Sequence, residues 1–312
     1  MKIDILIPFH RNDGYLRESI ASIERSKSVE TRIILIDDRP SFDESSISDL
    51  NFDVYIKSDG VGYSRALRIG LDHVTADFFA MQDSDDLSEP QRLFTQLAEI
   101  QDKQAQISVC GLVRVNESGK KYLLQSPHLL DEKLHKLSNL LGSYNSNSSW
   151  VCKSEILENS EVFPKGFRSI DWATTLQLPN HLKVAINPTR LYRYRQHKNQ
   201  MTRHSEYKGE AFSEIYELWK MLNDESQLPP LNYWEASMIA APWVFTKQSP
   251  DKVLVEIERL QDWILAFLNF PQVKLSEDKN RFKSLLIRKV IQGKYLFNLK
   301  TISRLISKIQ LS

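Results

Sequence analysis

Short apolar runs punctuate the first part of the chain, and most of them end in polar or acidic side chains. Ile3 to Ile7, Ile33 to Ile36 and Phe78 to Met81 are continuous, the pattern of strands covered on both faces. Val54 and Ile56 alternate with polar neighbours between Asp53 and Lys57, which suits a half-covered strand. Leu16, Ile20 and Ile23 recur at helical spacing, as do Leu67, Leu71 and Val74. The resulting order β-α-β-β-α-β-α predicts an α/β fold, a mostly parallel sheet with helices on both faces. Pro8 is expected to stop the first strand.

Beyond a helix from Pro90 to about Gln104, Ile107–Val115 and Lys121–Leu124 read as strands joined by the turn at residues 116–120. Residues 127–141 suggest a helix or lid, and the polar run from Gly142 to Ser149 a mobile loop. Trp150 to Cys152 resumes extended structure. Val184 to Ile186 and Leu191 to Tyr194 are expected to be two short strands, and residues 196–206 a loop. Helical spacing then takes over, with Ile215, Leu218, Trp219 and Leu222 in one set and Val253, Ile257, Leu260, Ile264 and Phe267 in another. The division expected is residues 1–204 and a helical region at 205–312.

With 312 residues, 41% of them hydrophobic, 26% charged and a net charge of +1, the chain has the composition of an ordinary globular protein without global attraction to nucleic acid. Cys110 and Cys152 lie in apolar segments without metal-type spacing, which predicts buried, reduced thiols and fits the cytoplasm. The first apolar run is too soon interrupted, by Asp4 and Pro8, for a signal peptide, and none approaches the roughly 20 residues of a membrane span. Residues 279–312 hold nine Lys or Arg and no Asp or Glu, with Ile302, Leu305, Ile306 and Ile309 as an apolar stripe. Such a helix either makes peripheral contact with an anionic membrane surface, here the inner face, or packs on its own domain.

The candidate chemistry lies where the run Phe78–Met81 empties into Asp83, Asp85 and Asp86. Ligands of open α/β sheets bind at the carboxyl ends of strands. Ser88 and Gln91 read as a capping box with Pro90 in the first turn, which leaves the three aspartates for another task. Carboxylates this close repel one another unless a cation sits among them. So few protein oxygens suit Mg2+ or Mn2+ completed by phosphate oxygens and water, against the plainer reading of a solvated acidic loop. Asp37 and Asp38 end the second strand, where a turn preference explains them as well as a site does. Pro8, His10 and Arg11 follow the first. No glycine-rich dinucleotide loop or P-loop follows the first strand, which disfavours dehydrogenases and P-loop enzymes.

Residues 62–71 and 77–93, taken in order with Asp37-Asp38, Asp171-Trp172 and Tyr194-Arg195-Gln196-His197, resemble the family-2 glycosyltransferases of GT-A fold, the bacterial polysaccharide type. The resemblance spans roughly residues 1–200. It implies a Rossmann-like catalytic domain and inverting, metal-dependent transfer of a sugar from a nucleoside diphosphate, UDP by preference, to a glycan or lipid-linked acceptor. In that reading Pro8, His10, Arg11, Asp37, Asp38, Arg65, Arg68, Asp83 and Ser84 surround the nucleotide-sugar. Asp85, Asp83 and His197 hold the metal in an Asp-x-Asp arrangement, and Asp171 is the general base, although Asp171 equally suits a helix N-cap. This sequence departs from the family with Arg39-Pro40 after the acid pair, Arg68 and Ile170. The alternatives are a non-catalytic module that binds nucleotide-sugar or polysaccharide, and a nucleotidyltransferase.

Overall fold

In the computed structural model, the described residues are 1–11, 14–26, 28–41, 45, 47–125, 135–142, 146–158, 162–164, 166–200, 205–241, 257–270, 273, 279–292 and 299–312. The chain divides into two compact units, one of Met1–Pro127, Asn145–Thr174 and Leu178–Gln200, the other of His128–Tyr144, Thr175–Gln177 and Met201–Ser312.

The first unit is built on one sheet. Strands β1 (Lys2–Phe9), β2 (Glu30–Asp37), β3 (Val54–Lys57) and β4 (Phe78–Met81) are mutually parallel in the spatial order β3-β2-β1-β4. Helices α1 (Tyr15–Glu24) and α2 (Tyr63–Leu71) cover them. The continuous apolar runs have the burial that they predict, since Ile3, Ile5, Leu6, Ile7 and Ile33 to Ile36 are all within the core. Alternate residues feed two cores, one with Leu6, Ile34, Phe79 and Leu67, the other with Ile5, Leu35, Ala80 and Leu16. Gly70 makes the close fit of α2 possible: a Cβ there would stand 2.8 Å from Ile36 Cδ1 and from Leu6 Cδ2. Pro8 does not end β1 but pairs with Ile36, and the strand runs on to Phe9.

Past β4 the sheet becomes mixed, continuing through β8 (Trp150–Lys153), β6 (Ile107–Val115) and β9 (Val184–Arg195) to the short β5 (Leu87–Ser88). β7 (Lys121–Gln125) pairs antiparallel with β6. The two short strands expected around Val184 and Leu191 are one strand with an irregularity between Asn187 and Arg190. Opposite it, Gly111 admits the bulged backbone, because a Cβ would meet the Pro188 carbonyl at 2.9 Å. The capping box expected at Ser88 is absent. Helix α3 (Arg92–Lys103) has Gln91 at its N-cap with no side-chain cap, and Ser88 lies in β5 with its hydroxyl on Gln82 Oε1 at 3.3 Å.

In the second unit, helices α4 (His135–Ser138), α6 (Ser205–Glu225), α7 (Tyr233–Ala240) and α8 (Ile257–Asn269) precede helices Lys279–Gln292 and Leu299–Leu311. Trp219, Trp263, Phe267 and Phe282 form a chain of ring contacts at its centre. The expected lid partly lies outside the described residues, at 126–134, as do Val253 and residues 201–204 of the loop. Of the two courses open to the basic terminal stripe, packing is the one observed: Ile302, Leu305 and Ile309 are buried. Several of its lysines close helix C-termini, where unpaired carbonyls favour cations. Lys279 Nζ meets Ser312 O at 2.8 Å, Lys283 Nζ meets Gln310 O at 3.3 Å, and buried Lys289 meets Ala240 O at 3.1 Å. No described helix is long and apolar enough to cross a membrane.

Candidate active site

Because β1, β2 and β4 are parallel, their carboxyl ends deliver Phe9, Asp37 and the segment after Met81 to one edge of the sheet. Gln82 extends β4, its amide on Leu6 O at 3.0 Å. Asp83 follows and is held from several sides. Its amide donates to the Tyr192 hydroxyl at 3.1 Å, its carbonyl accepts from Ser19 Oγ at 3.0 Å, and its Oδ1 accepts from the Tyr63 hydroxyl at 3.0 Å. Enclosure by protein, and next the charge of Asp85, push the Asp83 carboxyl up to about 6.

Asp85 points to His197: Oδ2 and Nε2 are 2.8 Å apart. Beneath them lies Arg195, whose buried guanidinium donates to Asp85 O at 2.8 Å and to Glu18 Oε2 at 2.6 Å and stacks on Tyr15 at 4.4 Å. Tyr15 in turn packs on His197, centroid to centroid 5.1 Å. Asp86 does not join its neighbours. It is wholly buried, and Oδ1 accepts the Arg195 amide at 2.7 Å, so the third carboxylate ties β9 to the acidic turn. Burial, then Asp85 and Asp83, raise it well above the ordinary carboxyl range.

Asp171 lies in the first turn of α5 (Ile170–Gln177). Its carboxylate accepts from the Asn147 amide and from the Ser146 side chain; burial, then the charge of Asp83, push it up to about 7. Those partners belong to the segment Gly142–Ser149, which the sequence suggested as a mobile loop. Residues 143–145 lie outside the described residues, but Asn147–Ser149 form a buried 3-10 turn. Ser148 reaches the opposite way, its side chain bonding Asp83. One turn therefore touches both acids. Tyr63, bonded to Asp83, has its hydroxyl raised well above the usual phenol range by burial and then by Asp83, Asp171 and Asp85.

The neighbouring acid pair is arranged differently. Asp37 Oδ1 accepts from Arg39 N at 3.0 Å and Nε at 2.9 Å, while Oδ2 accepts from Arg39 Nη2 at 2.7 Å and the Tyr55 hydroxyl at 2.8 Å. Burial alone would raise Asp37, but these bonds outweigh it and leave the carboxyl below its ordinary value. Arg39 also lies over the Phe9 ring at 5.0 Å. Asp38 accepts from Ser58 Oγ at 2.8 Å and from Gly62 N at 2.9 Å, fastening the entrance of α2. Of the other predicted residues, Pro8 is buried in β1, Ser84 is half-buried, and His10, Arg11 and Arg65 are exposed. Arg68 donates to Phe163 O at 2.6 Å, an internal contact. The sequence reading did not single out Tyr63, Tyr192, Arg195 or the 146–149 turn for a role; Tyr63 and Arg195 were within its motifs, whereas the turn has no sequence signal.

Among the described residues, no three His, Cys, Asp or Glu side chains are already gathered as a metal cage. Asp85 and His197 nevertheless offer a carboxylate and an imidazole at one point with Asp83 close by. That donor set fits a divalent cation whose remaining positions are filled by phosphate and water.

A family model described as glycosyl transferase family 2 matches residues 4–160. Glycosyltransferase GlyA of Streptococcus pneumoniae is 27% identical over 122 residues, which is 38% of this chain and 18% of the length of that relative. S. aureus TarS 1-349 is similar in fold, with a TM-score of 0.55 at 17% identity over 99% of this chain and 90% of that one. The same protein in complex with UDP-GlcNAc gives a TM-score of 0.56 at 16% identity, over 99% and 91% of the two chains.

Proposed function

Because the chain belongs to glycosyl transferase family 2, we propose that it moves a sugar from a nucleoside diphosphate to a hydroxyl of a glycan or lipid-linked acceptor, inverting the anomeric carbon. UDP is the carrier in this reading, supported by the UDP and UDP-GlcNAc complexes of the TarS fold relative. The observation that carries the proposal is the 146–149 turn, which bonds Asp171 through Asn147 and Ser146 and Asp83 through Ser148. The acids that would face the diphosphate and the acid that would accept a proton border one small space.

Asp171 acts as the general base. A carboxyl pushed up to about 7 is about half ionised at pH 7 and grips a proton far better than an ordinary aspartate. It takes the acceptor hydroxyl's proton as that oxygen bonds to the anomeric carbon. The bond from that carbon to the diphosphate oxygen breaks, its electron pair leaving with the phosphate. A single displacement of this kind inverts the centre. Asp85 and His197, with Asp83 and Ser84 beside them, would hold a manganese or magnesium ion, which when bound neutralises charge on the departing diphosphate. Pro8, His10, Arg11 and Asp38 border the nucleoside, and exposed Arg65 on the first turn of α2 offers a guanidinium to the phosphates. Asp37 acts indirectly, by holding Arg39 against Phe9.

Incubation with UDP-sugars, Mn2+ and candidate glycan acceptors, followed by assay of released UDP, tests the reading. Transfer by the native chain, lost in Asp171→Asn with UDP binding retained, is the expected result. Tight binding without turnover would make the chain a binding module instead.

A further inference from the structure

Arg92 is wholly buried, yet among the described residues none of its hydrogen-bond partners is a carboxylate. A guanidinium removed from water at such cost is normally paired with an acid. Here its donors are spent on neutral oxygens from two sides. On the β4 side Nη1 meets Gln82 Oε1 at 2.9 Å and Ser88 Oγ at 3.0 Å, and Nη2 meets Met81 O at 3.2 Å. On the other side Nη2 meets Ser148 O at 2.6 Å and Trp150 O at 3.3 Å. Nε donates to Gln96 Oε1 at 3.1 Å, and Gln96 Nε2 reaches Ser149 O at 3.0 Å and Ser108 O at 2.8 Å. The Tyr192 ring closes the pocket, 4.7 Å from the guanidinium carbon.

The two side chains, one turn apart on α3, thus meet the carbonyls of Ser148, Ser149 and Trp150 in succession. A further side-chain bond to these carbonyls comes from Cys110 Sγ to Ser149 O at 3.5 Å. The turn's sequence, Ser146-Asn147-Ser148-Ser149, carries no apolar anchor, and its local bonds run within itself, from Ser149 N and Oγ back to Ser146 O and between the Ser146 and Ser148 hydroxyls. The turn's outward groups are the ones that meet the acids: Asn147 N–H and Ser146 on Asp171, Ser148 on Asp83. The Asn147 N–H shares its peptide with the Ser146 carbonyl, which accepts from Ser149 N at 2.9 Å and Ser149 Oγ at 2.8 Å, so a turn gripped at Ser148 to Trp150 also fixes that amide.

We propose that Arg92, assisted by Gln96, is a positioning residue for Asp171, fixing from behind the turn whose donors aim the base carboxylate at the acceptor. The proposal rests on the reading of Asp171 as the base. It predicts a smaller effect on donor binding than on catalysis, because Asp83 would at most lose the charge of Arg92 and the bond from Ser148 but keep its bonds to Tyr63, Tyr192 and Ser19. It also separates geometry from charge, since a lysine supplies the charge but lacks the fork that spans both sides.

The test compares native chain, Arg92→Lys, Arg92→Met, Gln96→Met and Asp171→Asn by transfer kinetics and by calorimetric binding of UDP with Mn2+. Both Arg92 variants and Gln96→Met should lose about 10- to 100-fold in kcat, the cost of a misplaced catalytic group, while UDP affinity falls by a clearly smaller factor, since Asp83 keeps most of its bonds. The acid limb of kcat/KM should move to higher pH in each, because the lost Asn147 and Ser146 bonds are those that lower Asp171. Native kcat and an unmoved acid limb in Arg92→Lys would overturn the positioning role. So would an equal fall in UDP affinity and kcat, which a general loss of structure produces. Should the Arg92 variants not fold, Gln96→Met decides by the same two readouts. Normal transfer by Asp171→Asn would instead refute the underlying assignment of the base, whatever the Arg92 variants do.

Discussion

Asp85 and His197 stand 112 residues apart in sequence and 2.8 Å apart in the fold, the imidazole Nε2 against the carboxylate Oδ2. The contact depends on Arg195, which grips the Asp85 carbonyl and, through Tyr15, backs the imidazole. In the proposed reaction a cation would take the place of this hydrogen bond, each partner giving up the other for the metal. Asp85→Ala should therefore abolish the enhancement of UDP binding by Mn2+, whereas His197→Ala should weaken it by about 10- to 100-fold. Titration calorimetry with UDP, with and without Mn2+, reads both. Equal UDP affinity in all variants under both conditions would remove the metal from these residues.

Asp171 carries a pH dependence whose sign differs between activity and stability. As a base it works only when ionised, so kcat/KM should rise with pH through about 7 on its acid side. For stability the direction reverses. Its folded-state pKa lies above the ordinary value, so its contribution is complete below about 4 and is lost as pH rises through about 7. Asp171→Asn should consequently be more stable than the native chain at pH 8, by on the order of 1 kcal/mol and with a higher melting temperature, and lose most of that advantage at pH 5. Scanning calorimetry at the two pH values checks it. A variant less stable at pH 8 would mean that Asp171 is not held as an unwelcome charge.

Strands β1, β2 and β4 were legible because they are continuous apolar runs, a signal that needs no partner to interpret, and β3 through its alternation. Asp83 and Asp85 were legible for the same reason, as whatever follows a buried strand must emerge at its end. The 146–149 turn was not. Its serines and asparagine read as solvent-facing, and it is Arg92 and Gln96, more than fifty residues earlier, that take up its carbonyls in the interior. Ser88 misled in the same way: a serine before a helix suggests a cap, but its hydroxyl is drawn into the Arg92 and Gln82 network instead. Polar residues are the ones whose place is decided by distant partners. His197 illustrates the limit, since a lone histidine in a polar loop carried meaning only through its resemblance to a motif.

Gly70 offers a test of the packing that sets the sheet edge. A Cβ would come within 2.8 Å of two methyl groups, on Ile36 and Leu6, which lie in strands that cannot retreat without disturbing the core. Gly70→Ala gains helix propensity of roughly 1 kcal/mol, but overpacking costs about 1–3 kcal/mol. The net expectation is a small destabilisation, measured by denaturant unfolding, with UDP affinity reduced because α2 also carries Tyr63 and Arg65. Unchanged stability and binding would show that α2 can slide outward freely.

The Arg39–Asp37–Tyr55 cluster predicts a pH-dependent defect of a different kind. Asp37 is wholly buried, and Arg39 supplies three of the bonds that keep its carboxylate ionised. Its folded-state pKa lies below the ordinary value, so its contribution to stability is present above that value and is lost as pH falls through the folded one. Arg39→Met would keep much of the contact with Phe9 but leave a buried charge with Tyr55 and a more distant Lys57, whose ammonium is 3.9 Å away. Loss of one partner of a buried pair costs about 3–5 kcal/mol, and the backbone amide of Arg39, which the substitution preserves, should hold the defect toward the lower end. With the guanidinium gone, burial is opposed by fewer bonds and the Asp37 carboxyl would rise. The deficit of Arg39→Met against the native chain should then be larger at pH 8 than at pH 5, since a raised carboxyl sheds its unpaired charge as the pH falls. Urea unfolding at the two values measures it. A deficit constant with pH would mean that Arg39 stabilises by packing on Phe9 and not by holding the Asp37 charge.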